Sequence, residues 1–450
     1  MTTSTQPLHV NQRLKTLSLD RAFIIAIVAL LGLRLVGLLN LPLFVDETLH
    51  ITWTKQLLAG GGVQDAMNVG KVLSIWLWAP FVALPIDALL SSRLTGIVAA
   101  AISAAALISA GGTLHSRRAG LLAALAYLLL PYSFFYSRIA LTDNFVTAAF
   151  AIFLWISVSV SQTVIRFPHV ALLSLSGVVL VLSKLTGMLA LPIAWLAALL
   201  FSPSRLRWSN SNHVFIALGI VVAVFLGFML QGFGLVEFAF RQPGPPLQNV
   251  TSNVALVANF YTVLLTPPGA LLAITALADA LRYPSRVGLW LVFAFLLMVT
   301  PYFPVANTLY ARYLLPSLVP LSLFMGIMLT QWLNRRLKVW YKVLIGVGIV
   351  WMLVTQIIMI VDLPSSPLPP QEMLHYIEGW SSGYGLRELI DEVTTLSETA
   401  PIALSLPTEW DTTSVAFQLF AGHSGSLTYC YRDQDNCQDT GDAQRASEKG

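Results

Sequence analysis

The chain of 450 residues contains 56% hydrophobic and only 11% charged residues, with a mean hydropathy of +0.72. Soluble domains carry about 25% charged residues, so this composition excludes an ordinary soluble protein and indicates an α-helical polytopic membrane protein. The formal net charge is +4. Because the basic residues are dispersed over many loops, this charge gives no reason to expect nucleic acid as a partner.

Eleven apolar runs predict eleven transmembrane helices. Eight runs have the spanning length of about 17 to 25 residues, at 21–40, 92–112, 119–136, 145–163, 213–232, 287–303, 310–332 and 340–362. Three shorter runs lie at 170–183, 185–201 and 266–281. The run 72–86 contains Pro80 and Pro85, and we expect an interfacial or re-entrant segment there. The first run follows a polar start without a small-residue cleavage site, which predicts an uncleaved anchor.

The basic residues of the loops predict the orientation, because Lys and Arg concentrate in short cytoplasmic loops. If the N-terminus is inside and 72–86 does not cross, the strongly basic loops all lie inside. Counting 72–86 as a span would move nearly all of them to the outside. We therefore expect a multi-pass protein of the cell membrane with a cytoplasmic tail at 1–20 and an extracytoplasmic C-terminal region. The residues that set this orientation are Arg13, Lys15, Arg21, Arg117, Arg118, Arg166, Arg205, Arg207, Arg282, Arg286, Arg335, Arg336, Lys338 and Lys342.

Two adjacent acids, Asp46 and Glu47, follow the first apolar run. A central Asp in a transmembrane helix costs roughly 2.5 to 3.5 kcal/mol, so acids at membrane boundaries tend to mark pathways or chemistry. The structural alternative is a pair of solvated loop acids. The predicted topology places further charges on the same external side, so one cavity can contain them all: Lys71, Arg138, Asp143, Lys184, Arg241 and Arg312.

Several of these charges also have a structural interpretation. Asp143 precedes a predicted helix and is a candidate N-cap, worth about 1 kcal/mol. Lys184 lies between two apolar runs, where a lysine can extend to the membrane interface. Arg312 lies near the start of a helix, where the dipole disfavours a cation, so its structural explanation is weaker. Arg241 belongs to the proline-rich external segment 233–265, which is either a mobile lid over a lipid phosphate or a solvated loop.

Acids that face isolated cations at one membrane surface suit a reaction in which a hydroxyl loses a proton while a phosphate leaves a lipid. A carboxylate can act as the general base, and Lys or Arg can stabilise the charge that develops on the phosphate. A transporter or flippase of a lipid-linked saccharide is the alternative, because it also needs cations for a phosphate. Transporter sites usually lie near the membrane midplane, whereas these charges cluster at one face.

Five motifs in this order resemble those of the GT-C glycosyltransferases, over most of the chain. They are Asp46-Glu47 followed by Trp53, Gly70-Lys71 before a Trp-rich segment, Arg138 to Asp143, Ser183 to Gly187, and Ala311 to Pro316. The resemblance is to the branch of protein O-mannosyltransferases and lipid A aminoarabinose transferases, which take a sugar from a polyprenyl-phosphate carrier and attach it outside the membrane. It implies a GT-C-like bundle of about eleven transmembrane helices with interfacial helices in the first external loop.

This resemblance also implies roles for the site residues. Asp46 would be the general base, Glu47 would order the site or hold an acceptor or ion, and Asp143 would be a second acid oriented by Arg138. The candidate ligands of the donor phosphate are Lys184, Arg312, Arg138, Lys71 and Arg241. Lys71 is a weaker candidate, because related transferases often have prolines after this Gly-Lys pair, where this chain has Val72 and Leu73.

The implied reaction is transfer of a hexose or pentose, as in mannosyltransferases, from a polyprenyl-phosphate donor to a hydroxyl on a protein, lipid or glycan. Direct displacement inverts the anomeric centre and needs no second carboxylate as a nucleophile. Asp46, Glu47 and Asp143 are also candidate oxygen ligands for Mg²⁺ or Mn²⁺. The protein's own cations can stabilise a lipid phosphate, so we predict no obligatory ion.

The composition changes after Asp362, where the predicted transmembrane catalytic domain 21–362 ends. Residues 363–430 are predicted to form a small α/β extracytoplasmic domain, which either recognises the acceptor or acts as a structural cap. Its predicted elements are helices at 371–378, 386–397 and 414–420 and a strand at 401–406. The polar tail 431–450 is predicted to be disordered. An oxidising compartment would permit a disulfide between Cys430 and Cys437, and the sequence leaves that bond open.

Overall fold

The computed structural model describes residues 7–62, 69–230, 249–306, 308–334, 339–406, 412–421 and 427–431. Helices dominate these ranges: α1 Pro7–Leu33, α2 Val45–Leu58, α3 Val72–Val82, α4 Ala88–Leu114, α5 Arg117–Leu129, α6 Pro131–Ser137, α7 Thr142–Ser161, α8 Phe167–Ser183, α9 Leu191–Phe201, α10 Arg207–Leu230, α11 Val250–Leu264, α12 Thr266–Arg282, α13 Arg286–Val299, α14 Tyr302–Val305, α15 Leu318–Asn334, α16 Val339–Val361, α17 Pro370–Met373, α18 Leu386–Ser397 and α19 Thr412–Phe420. The strands are β1 Leu43–Phe44, β2 Ser382–Gly383, β3 Ile402–Leu406 and β4 Leu427–Tyr431.

The apolar helices make the chain a multi-pass membrane protein. In the described ranges, six helices are long and apolar enough to span a membrane, or up to eight if two bent pairs each count as one span. Helices α5 and α6 meet at 67°, and α11 and α12 meet at 114°. The predicted count of eleven is therefore not confirmed. The run 170–183 belongs to a shorter apolar helix, 185–201 combines a 3₁₀ turn with α9, and 266–281 lies in one arm of a bent pair.

Burial separates the inner helices of the bundle from the outer ones. In the apolar 18-residue stretches of the spans that include α15 and α7, 83% and 78% of the residues are buried by other parts of the protein. Only 28% of the residues are buried in the corresponding stretches of α10 and α16. An apolar helix with so little protein cover is suited to contact lipid. The outer helices thus form the lipid-facing side, and α4, α5, α7 and α15 supply much of the core.

Helices α2 and α3 lie in the first loop, where the sequence predicted interfacial helices. Two acids in the first turn favour the start of α2, because a helix N-terminus carries a partial positive charge. Lys71 precedes α3, and Gly70 before it has φ +73°, a left-handed conformation that glycine adopts without strain. Residues 250–264 of the predicted proline-rich loop are helical, because the prolines all lie before residue 249 and leave α11 uninterrupted.

The C-terminal segment contains the predicted helices, and the strand predicted at 401–406 is observed at 402–406. The segment also contributes strands that the sequence did not indicate. Strand β3 pairs in parallel with β4, and α19 connects them in the sequence. Strand β2 pairs antiparallel with β1, with Leu43 opposite Gly383. Since β1 directly precedes Asp46, this pairing attaches the C-terminal segment to the candidate site. Cys430 is disulfide-bonded. Of the predicted disordered tail 431–450, Tyr431 ends β4, and the remaining residues, with the other cysteine, Cys437, lie outside the described residues.

A glycine in α4 allows close packing of the segment from Ser137 to Asn144, which includes Asp143. A Cβ at Gly96 would lie 2.5 Å from the Ser137 carbonyl oxygen and 3.0 Å from the Asn144 amide nitrogen. Gly96→Ala should therefore destabilise the protein by about 1 to 3 kcal/mol, as is usual for overpacking. Gly112→Ala is the control in the same helix, because nothing lies within 4 Å of its Cβ position. Denaturant titration in mixed micelles measures both, and equal effects of the two substitutions would contradict the expectation.

Candidate active site

The site is centred on an ion pair between Asp46 in α2 and Arg312 in the 3₁₀ turn Ala311–Ser317. An Asp46 Oδ2 oxygen lies 3.1 Å from Arg312 Nη2, and the side chains are 23% and 10% exposed. Burial would raise the pKa of the Asp46 carboxyl, but the positive charges of Arg312 and Lys71 hold that pKa well below its usual range. Asp46 is therefore an ionised carboxylate that remains partly accessible.

Aromatic rings surround the Arg312 guanidinium. Its central carbon lies 5.1 Å from the ring centroid of Phe44, 4.7 Å from that of Tyr310 and 5.7 Å from that of Tyr313. Such contacts stabilise a cation while leaving its N–H groups free to bind an anion. Arg312 Nη1 also lies 3.5 Å from the Tyr376 hydroxyl. The cation is thus held by ring faces and by a single described carboxylate, that of Asp46.

Glu372 fixes the turn that carries Arg312. Its carboxylate accepts a hydrogen bond from the Tyr136 hydroxyl at 2.5 Å and another from the Ala311 backbone N–H at 3.1 Å. Burial raises the pKa of the Glu372 carboxyl, and the two hydrogen bonds and the Arg312 charge oppose that rise. This buried acid, from the segment after the last long helix, therefore attaches α17 to the backbone next to Arg312.

Asp143 and Lys184 form a second ion pair at the site. Lys184 Nζ donates to Asp143 Oδ1 at 2.7 Å and lies 4.3 Å from the centroid of the Tyr313 ring. Helix α7 has Leu141 at its N-cap and makes no side-chain cap bond, so the N-cap interpretation of Asp143 is wrong. The expectation that Arg138 orients Asp143 is also wrong, because Lys184 takes that place. Lys184 is available for this pair because it lies in extended backbone where α8 ends.

Lys71 is the third cation of the site. Its Nζ lies 2.9 Å from His50 Nε2 and 5.7 Å from the centroid of the Trp53 ring. Burial lowers the pKa of the Lys71 ammonium, and the Asp46 charge opposes that effect. The Ser74 hydroxyl donates to the Ser183 carbonyl at 2.7 Å, which joins α3 to the end of α8. This contact places the segments that carry Lys71 and Lys184 side by side.

The charges of these groups act on one another across the site. Arg312, Lys71 and Lys184 all contribute to the lowered pKa of Asp46. Among the described residues, this cluster contains three cations and the two carboxylates of Asp46 and Asp143. The excess of one positive charge can be balanced by a ligand with one negative charge. An anion with several oxygens suits this arrangement, because Lys and Arg offer several N–H donors.

Glu47 points away from this cluster and is fully buried. Its carboxylate accepts two hydrogen bonds from Arg93, at 2.9 and 2.7 Å, and others from the backbone N–H groups of Phe44 and Ala140. Arg93 in turn donates to the carbonyls of Leu38, Leu41 and Pro42. Both side chains are 0% exposed. This geometry favours the ordering role that was predicted for Glu47 over contact with an acceptor.

Arg138 lies outside the cluster, where it does not fit the predicted role as a phosphate ligand. It is 1% exposed and donates to the carbonyls of Val36, Gly37 and Met359, beyond the end of α1 and near the end of α16. Carbonyls near a helix C-terminus attract a cation, which explains this position. The other predicted phosphate ligand, Arg241, lies outside the described residues.

The three candidate metal ligands do not converge. Asp46 pairs with Arg312, Asp143 with Lys184 and Glu47 with Arg93, so each carboxylate is directed to its own cation. In the described part of the chain, no group of three or more His, Cys, Asp or Glu side chains is placed to hold an ion. The acids as arranged do not form the Mg²⁺ or Mn²⁺ site for which they were candidate ligands.

Three residues of the site were missed by the sequence reasoning: His50, Arg93 and Glu372. Arg93 lies within an apolar run, where a charge is costly and marks a functional or paired group, so its signal was available. His50 lies three residues after Glu47 and four after Asp46, a spacing that places all three on adjoining parts of a helix. For Glu372 the sequence offers only an acid in the first turn of a short helix.

No family model matches this sequence, and no curated protein matches it significantly. Similarity appears among solved structures. The structure of ArnT from Cupriavidus metallidurans bound to undecaprenyl phosphate aligns with a TM-score of 0.60 and 16% identity, over 91% of this chain and 85% of that chain. Its apo form aligns with a TM-score of 0.53 and 16% identity, over 89% and 75% of the two chains.

A weaker similarity is to the Archaeoglobus fulgidus oligosaccharyltransferase in complex with Zn and sulfate, with a TM-score of 0.46 and 11% identity. It covers 84% of this chain and 55% of that chain. The fold is therefore assigned by its similarity to ArnT, whose alignment includes most of both chains. The chain has the GT-C fold, as the order of its charged motifs predicted.

Proposed function

We propose that the chain is a glycosyltransferase that moves a sugar from a polyprenyl-phosphate donor to a hydroxyl acceptor. The observation that carries the proposal is the ion pair of Asp46 with Arg312, beside Lys71 and Lys184. It combines an ionised carboxylate suited to act as a base with cations suited to bind a phosphate. The GT-C fold, and undecaprenyl phosphate as the ligand of the similar ArnT structure, support a lipid-linked donor.

In the proposed reaction, Asp46 accepts the proton of the acceptor hydroxyl. The acceptor oxygen bonds to the anomeric carbon, the bond from that carbon to the phosphate oxygen breaks, and its electron pair stays on the phosphate. The donor phosphodiester, with one negative charge, becomes a polyprenyl phosphate with two, while Asp46 becomes neutral. Arg312 contacts Asp46 in the free protein. As Asp46 becomes neutral and the phosphate gains charge, the Arg312 guanidinium can exchange its contact with Asp46 for one with the phosphate.

This scheme uses one base and direct displacement, so the anomeric centre is inverted. Lys71 and Lys184 complete the proposed phosphate site, and Asp143 holds Lys184 in place through their ion pair. Arg241 stays a proposed phosphate ligand from the segment outside the described residues. The donor sugar is a hexose or pentose, and the hydroxyl belongs to a protein, lipid or glycan on the extracytoplasmic face of the cell membrane. Residues 363–430 form the proposed external domain.

The test is release of free polyprenyl phosphate from a panel of labelled polyprenyl-phosphate sugars, with purified protein and membrane extract as the source of acceptor. Release together with label in the acceptor is the expected result and identifies the donor. If no donor is cleaved while labelled lipid crosses the bilayer of protein-containing vesicles, the protein is a transporter of a lipid-linked saccharide and the proposal is overturned.

The lowered pKa of Asp46 predicts a particular pH dependence. Burial opposes the shift and the nearby cations cause it, so free Asp46 stays ionised below the ordinary value of about 3.9. Its ion pair contributes stability above that pH, and this stability is lost as the pH falls through the lower, folded-state pKa. A donor phosphate that engages Arg312 should weaken the pairing and raise the pKa of Asp46.

The acid limb of kcat/KM for the donor, which reports the free enzyme, should therefore lie at lower pH than the acid limb of kcat, which reports the complex. Initial rates between pH 3.5 and 8, corrected for the folded fraction, should therefore show an acid limb in kcat and no acid limb in kcat/KM. In Arg312→Gln the limb of kcat/KM should move to higher pH. If the acid limbs of kcat and kcat/KM coincided in the wild type, this would contradict the proposal that Asp46 and the donor phosphate share Arg312.

A further inference from the structure

His50 lies between Lys71 and Ala140, in the loop that precedes α7. Its ring is 1% exposed and stacks on Trp78, with 4.5 Å between the ring centroids. Nδ1 lies 3.0 Å from the Ala140 carbonyl oxygen, and Nε2 lies 2.9 Å from Lys71 Nζ. Both ring nitrogens therefore have a partner, and the stacking on Trp78 fixes the plane of the ring.

These partners determine the tautomer of His50. A lysine ammonium is only a donor, so Nε2 must accept from Lys71, and Nδ1 must carry the proton that is donated to the Ala140 carbonyl. Burial lowers the pKa of the His50 imidazole, and the charge of Lys71 lowers it further, which agrees with a neutral ring. In this form His50 is a rigid acceptor aimed at the Lys71 ammonium.

The carbonyl that orients His50 is itself held in place. The Ala140 N–H donates to Glu47 Oε1 at 2.8 Å. Glu47 and His50 are three residues apart in α2 and so lie on one face of that helix. Glu47 accepts from the N–H of Ala140 and His50 contacts the C=O of the same residue, which lies three positions before Asp143. The orientation of Lys71 therefore depends, through His50 and Ala140, on the buried hydrogen bonds between Glu47 and Arg93.

Lys71 keeps two N–H donors for a ligand after its bond to His50. Among the described residues, no carboxylate lies within ion-pair distance of its Nζ. The Trp53 ring restricts the ammonium on another side. A partly buried lysine that is confined by a histidine and an indole, and that has no paired acid in the described part of the chain, is prepared to bind an anion from outside.

We infer that His50 is a positioning residue that aims the Lys71 ammonium at the phosphate of the lipid donor. The inference rests on the proposed function and extends it to a histidine whose ring contacts Lys71 and the Ala140 carbonyl. Loss of the Nε2 acceptor should weaken phosphate binding even though Lys71 is still present. The effect should appear in KM for the donor more than in kcat, because Asp46 keeps its place.

Two substitutions separate the contacts of the ring. In His50→Asn the amide nitrogen lies near the former Nδ1 and can donate to the Ala140 carbonyl, but no acceptor reaches Lys71. In His50→Gln the amide oxygen lies near the former Nε2 and can accept from Lys71. Polyprenyl phosphate binding to the purified full chain should weaken roughly tenfold in His50→Asn and stay within about threefold of wild type in His50→Gln.

The control is His213→Asn, because His213 Nδ1 also contacts a backbone carbonyl, that of Ser209 at 2.7 Å, but lies outside the site. Its binding should match wild type. A second comparison uses Lys71→Met, in which a further His50→Asn change should cost no additional affinity, because the ammonium that His50 positions is then absent. Steady-state kinetics should show the loss in KM for the donor, with kcat within about threefold for both His50 variants.

The outcomes separate this inference from the function on which it rests. If the wild type neither binds polyprenyl phosphate nor releases it from any donor, the proposed function fails and the inference fails with it. If the wild type binds and transfers, equal weakening in His50→Asn and His50→Gln, or wild-type binding in His50→Asn, overturns the positioning role alone. If His50→Asn does not fold, a loss of about tenfold or more in folded His50→Gln, which keeps an acceptor for Lys71, still overturns it.

Discussion

Asp46→Asn should abolish sugar transfer while the purified protein still binds polyprenyl phosphate. An asparagine has nearly the same shape as aspartate but cannot accept the proton of the acceptor hydroxyl. Loss of a general base typically costs about 10²- to 10⁴-fold in rate. The carboxylate of Asp46 also competes with the donor phosphate for Arg312, with 3.1 Å between the charged groups in the free protein. Removing that competitor should leave phosphate binding unchanged or tighter.

Two assays on the same preparation measure this expectation. Release of polyprenyl phosphate from the active donor reports transfer, and equilibrium binding of polyprenyl phosphate reports the phosphate site. Asp279→Asn is the matched control, because Asp279 lies in α12, apart from the site. It should leave both readouts at the wild-type level.

The two ways in which this experiment can contradict the expectation have different meanings. Transfer by Asp46→Asn at more than about a tenth of the wild-type rate would mean that another group is the base. Loss of phosphate binding would mean that Asp46 organises the cation cluster instead of competing with the phosphate. In the latter case Asp143→Asn should show a similar loss, because it also removes the partner of one cation, Lys184.

The sequence predicted the membrane class, the GT-C fold and all five members of the charged cluster. They lie in separate segments of the chain, yet the loop charges predicted that they share one face: Asp46, Lys71, Asp143, Lys184 and Arg312. That prediction was possible because topology depends on the length of apolar runs and the location of Lys and Arg, which are local properties of the chain.

The pairings within the site could not be predicted in the same way. Asp143 pairs with Lys184, 41 positions later, although Arg138 is only five residues away. The choice depends on the packing of α8 against α7 and on the carbonyls beyond α1 and near the end of α16 that attract Arg138. Glu372 reaches Ala311 because the C-terminal segment folds back onto the site through β1 and β2. Strands of two residues leave no periodic pattern in the sequence.

Breaking the buried pair of Glu47 and Arg93 should have the largest effect on stability. Both side chains are 0% exposed, and the closest pair of charged atoms is 2.7 Å apart. Removal of one partner leaves the other as an uncompensated buried charge, which typically costs about 3 to 5 kcal/mol. Glu47→Gln keeps an oxygen for the N–H of Ala140 or Phe44 but loses the charge. Its destabilisation should therefore come mainly from the Arg93 guanidinium, which is left buried without a counter-charge.

A double-mutant cycle with Arg93→Met tests this account. The double variant should be destabilised by clearly less than the sum of the single variants, because neither charge is then buried alone. The carbonyls of Leu38, Leu41 and Pro42 lose a donor whenever Arg93 is replaced, so full recovery is not expected. Arg387→Gln is the control, because its pair with Asp87 is about 30% exposed and should contribute at most about 1 kcal/mol.

Unfolding in mixed micelles with increasing SDS gives the stability of each variant, and transfer per folded molecule gives its activity. If Glu47 orders the site, as its contacts indicate, folded Glu47→Gln should retain more transfer than Asp46→Asn. Additive single and double effects would mean that the pair is not coupled. A complete loss of transfer in fully folded Glu47→Gln would instead assign Glu47 to the chemistry, in spite of its hydrogen bonds to Arg93 and to the Ala140 backbone.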